Sequence, residues 1–159
     1  TIYEHMGNDP VFYQKFSVML QKVIEDYLQR RLDENAYLAR VTEIMSSVVN
    51  RSDDGLPAPL KSNDVAKAYY GILNRDVAQV ISDKNVLADL AINIDRIIKV
   101  NSIVQWTENQ DIENKMRIAI EDYLFEVAEQ KGFTLDFDVI DRILDSCIKI
   151  AKHRETSGD

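Results

Sequence analysis

Apolar residues in this chain recur at three- and four-residue spacing in six blocks, each preceded by a residue suited to capping a helix. Nowhere do they alternate as in a half-buried strand. Asp9 and Pro10 open the first block, Asp as cap and Pro at the first helical position, where its missing N–H costs nothing. Phe12, Phe16, Met19, Leu20, Val23 and Tyr27 follow, predicting a helix over 10–32 with Asp26 and Arg30 as an i,i+4 pair. Asp33 caps a second helix over 34–51, with Tyr37, Val41, Ile44 and Val48 as its stripe and Leu38, Met45 and Val49 widening it. So short a turn predicts antiparallel packing of the two.

Ser52, Asp53, Asp54, Gly55, Leu56, Pro57, Ala58, Pro59 is the clearest break, because two prolines and a glycine end any regular ladder. It reads as a loop within one domain, since about fifty residues before it would be marginal alone. A third helix over 63–75, beginning at Ser62 or Asn63, carries Val65, Ala68, Tyr69, Ile72 and Leu73, with Val77, Val80 and Ile81 prolonging it or forming a separate turn. Ser82 or Asp83 caps a fourth over 84–100, the most apolar, with Leu87, Leu90, Ala91, Ile94, Ile97 and Ile98 on one side. Ile103 to Trp106 reads as an extended connector. Thr107 with Gln110 then fits a capping box for a helix over 108–131, whose core face is Ile112, Met116, Ala119, Ile120, Tyr123, Leu124 and Val127. Asp111 with Lys115 and Glu113 with Arg117 are its outer pairs, and Gly132 its left-handed stop. Asp136 caps a last helix over 136–154 bearing Ile140, Ile143, Leu144, Cys147, Ile148 and Ala151, with 155–159 as a frayed tail. The expected fold is all-α, a single compact bundle of about six helices over 1–159 without significant sheet.

At 159 residues and 45% hydrophobic content the chain has material for one real core without staples. A single cysteine excludes an internal disulfide framework, and its apolar setting reads as a buried reduced thiol of a cytoplasmic protein. No leader and no apolar run near 18 residues point to secretion or a membrane span, and Thr1 in place of Met reads as the start of a fragment. The net charge of −8 opposes general DNA binding, which runs on Lys and Arg displacing counterions. Two local exceptions stand out: Arg30 and Arg31, and the group Lys149, Lys152, His153, Arg154. Each falls in the last turn of an expected helix, where cations complement the macrodipole, or else contacts phosphate or an acidic partner.

Reactive chemistry is sparse. The five glycines are scattered, so no phosphate cradle forms. Asp111, Glu113 and Lys115 have the acid, acid, lysine order of a nuclease site, but alternate helix residues diverge and read as a salt-paired face. Asp138, Asp141 and Asp145 share a face with Arg142 and Lys149 as i,i+4 partners, again a solvated pattern. Asp53 and Asp54 lack the ligand spacing of a calcium loop. Neither His5 nor His153 has a metal partner at ligand spacing. Trp106 carries two readings, a lid across the first turn of a helix or an anchor for a partner. Of Tyr69 and Tyr70, one is expected in the core and the other exposed.

Three stretches nevertheless carry a resemblance. They are Asp9 to Ser17 with Tyr37, Leu38, Val41 and Glu43; Ala91, Ile92, Ile94, Asp95, Ile97 and Ile98, then Trp106, Thr107, Glu108, Asn109, Asp111, Ile112, Asn114, Lys115 and Met116; and Ile120 to Leu124. In order and spacing they resemble the C-terminal region of the R subunit of type I restriction enzymes, weakest over 50–63 and 77–85. The resemblance implies a piece of a cytoplasmic subunit with nuclease and ATP-dependent DNA-translocating segments, which joins modification (methyltransferase) and specificity subunits. ATP and Mg²⁺ would belong to those segments, leaving no cofactor, metal or catalytic residue in this one. It also implies docking on the methyltransferase core as this piece's role, with Trp106, Tyr70, Glu108 and Asn109 as candidate interface residues. The alternative is an accessory DNA contact through Arg30, Arg31, Lys149, Lys152 and Arg154.

Overall fold

The computed structural model describes residues 2–50 and 55–158. Among these residues there is no strand, and six long helices follow the six apolar blocks. A one-turn helix, α1 (Ile2–His5), precedes α2 (Pro10–Leu28), α3 (Glu34–Asn50), α4 (Asp64–Val77), α5 (Lys84–Asn101), α6 (Gln110–Lys131) and α7 (Phe137–Ser157). Two 3₁₀ turns, Ala58–Leu60 and Trp106–Glu108, fall between the apolar blocks, where periodicity gives no signal. Asp53 and Asp54 lie outside the described residues.

Helices α4, α5, α6 and α7 form a ring in which each packs on the next and α7 closes back on α4. Tyr69, Ile72, Leu73, Leu87, Ile94, Met116, Ile120, Ile140 and Cys147 fill its centre. Helix α2 lies against α4, and α3 against α2. Phe16, Val23 and Ile44 form a second, smaller core between these outer helices, capped by Ile2 of α1. Tyr27 stacks on Tyr37 at 4.4 Å and 23°, which fixes the antiparallel hairpin.

Gly71 seats α2 on α4. A Cβ there would lie 3.2 Å from Val11 Cβ, so glycine permits the close approach, whatever it costs in helix propensity. The second attachment is polar. Asn8 is buried, its side-chain oxygen lies 2.6 Å from His153 Nδ1, and its carbonyl accepts from Arg154 Nε at 3.1 Å. The imidazole covers Gly7, where a Cβ would fall 2.4 Å from a ring carbon.

Several expected boundaries move, each for a local reason. Helix α2 ends at Leu28 because Arg30 adopts the left-handed conformation, φ 59°. Arg31 N–H then reaches back to Asp26 O and Arg30 N–H to Tyr27 O, the paired bonds of a Schellman stop. Asp26 therefore pairs with Arg31, at 3.5 Å, and Arg30 and Arg31 lie beyond the helix instead of in its last turn. Leu38, Met45 and Val49 are exposed, because α3 packs chiefly on α2 and the stripe they share faces away from it. Helix α4 runs on to Val77, and both Tyr69 and Tyr70 are buried. Helix α7 continues to Ser157, where Gly158 stops it in the left-handed conformation, so 155–157 is helix and not frayed tail. Asp136 stands at the N-cap of α7 without a side-chain capping bond.

The start of α6 is displaced most. Ile103 to Trp106 is not extended: Gln105 is left-handed at φ 59°, and Trp106 N–H bonds back to Ile103 O at 3.1 Å. Thr107 falls inside the 3₁₀ turn, and Asn109 caps the helix, accepting from Asp111 N and Ile112 N at 3.1 and 3.3 Å. Gln110 points forward to Asn114 at 3.0 Å, so no capping box forms. Replacing Asn109 by Ala should cost about 1 kcal/mol, whereas Thr107→Ala should stay within ~0.5 kcal/mol. Urea unfolding of the two variants distinguishes this cap from the Thr107 cap.

Candidate interface residues

The Trp106 segment is built from the end of α5 onward. Ser102 Oγ donates to Ile98 O at 2.7 Å and stops that helix, leaving Ile103 and Val104 exposed, Val104 by 89%. The left-handed Gln105 then turns Trp106 inward against α6 and α7, where it is only 1% exposed. Its Nε1–H has no hydrogen-bond partner among the described residues. An unpaired buried donor costs about 1–3 kcal/mol, which the large apolar ring offsets by packing.

The four candidate interface residues therefore separate. Glu108 and Asn109 are exposed and line a shallow depression of about 410 Å³ with Val104, Gln105, Gln110 and Asp111. Trp106 and Tyr70 belong to the main core, Tyr70 being 6% exposed, so neither offers its ring to a partner. Trp106 serves as the lid, and Asn109 as a cap.

The five candidate DNA contacts also separate. Lys152 Nζ pairs with Glu113 Oε2 at 2.5 Å, and Arg154 is held on the Asn8 carbonyl. Lys149 is exposed, as are Arg30 and Arg31. Asn8, beside Arg154, precedes the 19-residue helix α2, and Arg30 follows it. A helix of that length puts roughly 30 Å between the two groups, so they form no common patch.

Two acids expected to pair within their own helices, Glu113 and Asp145, link neighbouring helices instead. Glu113 meets Lys152, and Arg117 meets Asp145 at 2.7 Å, tying α6 to α7. Asp111, Glu113 and Lys115 thus do not converge, and no group of three or more His, Cys, Asp or Glu among the described residues could hold a metal ion. Asp138 and Asp141 line an open depression beside Phe137 and Arg142. His5 leans on Tyr13, ring centroids 5.9 Å apart. His153, which the sequence placed in the C-terminal basic group without a metal partner, fastens Asn8; a buried asparagine next to a glycine gave no periodic signal for that contact. No described helix is long and apolar enough to cross a membrane.

Known proteins add what geometry does not. The profile of type I restriction enzyme HindI endonuclease subunit-like proteins, C-terminal region, matches residues 1–153. The chain belongs to that family. No curated protein and no solved structure matches it. The Trp106 run is thus part of a C-terminal restriction-enzyme domain in which its residues shape the entry to α6.

Within this C-terminal domain, burial pushes the Cys147 thiol and the Tyr69 phenol well above their ordinary values of 9.0 and 10.0. Both groups stay protonated when folded and would ionise when unfolded, so their contribution is complete below about pH 9 and is lost as pH rises further. The midpoint of urea unfolding should fall steadily above pH 9, and Cys147→Ala should flatten part of that slope. Cys147 should also resist thiol reagents at pH 8 until the domain unfolds, as a colorimetric thiol assay would record.

Proposed function

We propose that this domain docks the ATP-dependent translocase and endonuclease subunit on the modification and specificity core of a type I restriction complex, in the cytoplasm. The supporting observation is an inversion of the usual surface. Leu38, Met45 and Val49 stand along one face of α3, each more than half exposed, and Val18 and Met19 stand out from α2. Positions 38, 42, 45 and 49 share one side of a helix, and Thr42 completes the stripe without a charge. Uncovered apolar positions grouped on packed, well-formed helices suit a protein surface.

The same surface suits DNA poorly. The charge is −8, and Lys152 and Arg154 are already engaged within the domain. Phosphate binding rests on several cations acting together, and of the remaining candidates Lys149 stands far from the pair Arg30 and Arg31. ATP and Mg²⁺ chemistry would belong to other segments of the subunit, and this domain would contribute attachment without a cofactor.

The test is a full-length endonuclease subunit lacking residues 1–159 of this domain, mixed with the assembled modification and specificity core. The truncated subunit should keep ATPase activity on its own motor segments and lose entry to the complex in size-exclusion chromatography. Assembly at undiminished affinity would refute the docking role. A duplex gel shift with the isolated C-terminal domain at low salt should show no retarded band.

A further inference from the structure

The outer surface carries one groove whose chemistry selects an occupant. Helices α2 and α4 touch where Val11 meets Gly71, and beyond that contact Val11, Val18, Met19 and Pro10 line an open groove of about 620 Å³. Its lining is almost wholly apolar, and the charged groups at it, Lys15 and Arg75, are both cations. Arg75 is neutralised by Asp76 at 2.9 Å and donates to Ser146 at 3.2 Å. Lys15 has no ion-pair partner among the described residues; its ammonium lies 5.6 Å from the Phe16 ring centroid.

An uncompensated cation beside an apolar trough is unusual on a chain of charge −8. It repels a basic segment and pairs with an acidic one, so charge complementarity fixes the sign of the occupant. Helix-in-groove binding is the mode on offer, because no strand edge exists among the described residues for an extended peptide to join. Apolar anchors one turn apart would fill the space around Val11, Val18 and Met19, and a carboxylate beside them would reach Lys15.

We infer that the α2–α4 groove receives an amphipathic, acid-bearing helix of the modification and specificity core. This inference rests on the docking role proposed above and specifies its site. Val18 is 60% exposed and packs in neither core, and Lys15 is exposed, so both can be changed without disturbing the fold.

The experiment measures binding of the full-length endonuclease subunit to the assembled core by biolayer interferometry across salt concentrations. Val18→Asp should weaken binding at least about tenfold, since it sets a carboxylate in the trough against the helix's own acid. Lys15→Glu should weaken it about three- to tenfold and flatten the salt dependence, whereas Lys15→Arg should bind as the parent does. Unchanged circular dichroism in each variant ties the loss to the surface. Parent-like binding by both Val18→Asp and Lys15→Glu, with the domain deletion still abolishing assembly, would overturn the groove and leave the docking role standing. If the deletion variant assembles normally, the docking role fails and the groove assignment with it. Should Val18→Asp instead abolish self-association in sedimentation while core binding is untouched, the occupant is a second copy and the inference is wrong.

Discussion

The antiparallel seam between α6 and α7 is the constraint on which most of the molecule depends. Met116, Ile120 and Leu124 from one helix and Ile140, Leu144 and Ile148 from the other join the main core. The seam's flanks are closed by Glu113 with Lys152 and Arg117 with Asp145. Once α7 is held in this register, its last turns present His153 and Arg154 to Asn8, and the outer helices gain their polar attachment. Trp106 rests against the same two helices. The seam thus orders the C-terminal cations, the tryptophan turn and the seat of α2 together. It also engages Lys152 and Arg154 within the domain, while Lys149 on the same helix stays exposed.

A second consequence is the two-tier build. The ring of α4 to α7 holds the main core, whereas α3 packs chiefly on α2 and has one stripe too many. The Schellman stop at Arg30 sets where the chain reverses, and the Tyr27–Tyr37 stack sets how the two helices face. Given those two facts, Val48, Ile44, Val41 and Tyr37 must point at α2, and Leu38, Met45 and Val49 cannot. A sequence that widens an apolar stripe beyond what one neighbour can cover either tolerates the exposure or has a partner. The absence of any charge along that stripe favours a partner.

The helices were legible because periodicity reports local geometry. Asp9, Asp33, Asn63 and Asp83 cap where a polar residue meets an apolar run, and Gly132 stops α6 where the pattern ends. What was hidden depends on a choice between equivalent neighbours. Thr107 and Asn109 both suit a cap, and only the left-handed turn at Gln105, unusual for a residue with a side chain, decides for Asn109. Glu113 could meet Arg117 one turn along or Lys152 across the seam, and the spacing of one helix carries no information about the other. Tyr70 illustrates the same limit: adjacent tyrosines point about 100° apart on a helix, yet α4 has neighbours on enough sides to bury both.

The Trp106 run shows how identity and chemistry can part company in one segment. Its order and spacing gave the resemblance, and the family match over residues 1–153 agrees. Its side chains nevertheless do structural tasks: Trp106 fills the gap against α6 and α7, Gln105 makes the turn and Asn109 caps. A segment whose backbone must turn left-handed, bury an indole with an unpaired N–H and begin a 22-residue helix within a few positions is constrained by the fold at Gln105, Trp106 and Asn109. Such a stretch is recognisable for reasons of folding. Surface positions such as Val18 and Lys15 are under no such constraint from the fold, so any preference they show must come from what they touch. Residues that name a family and residues that carry its contacts are therefore expected at different places in a domain of this kind.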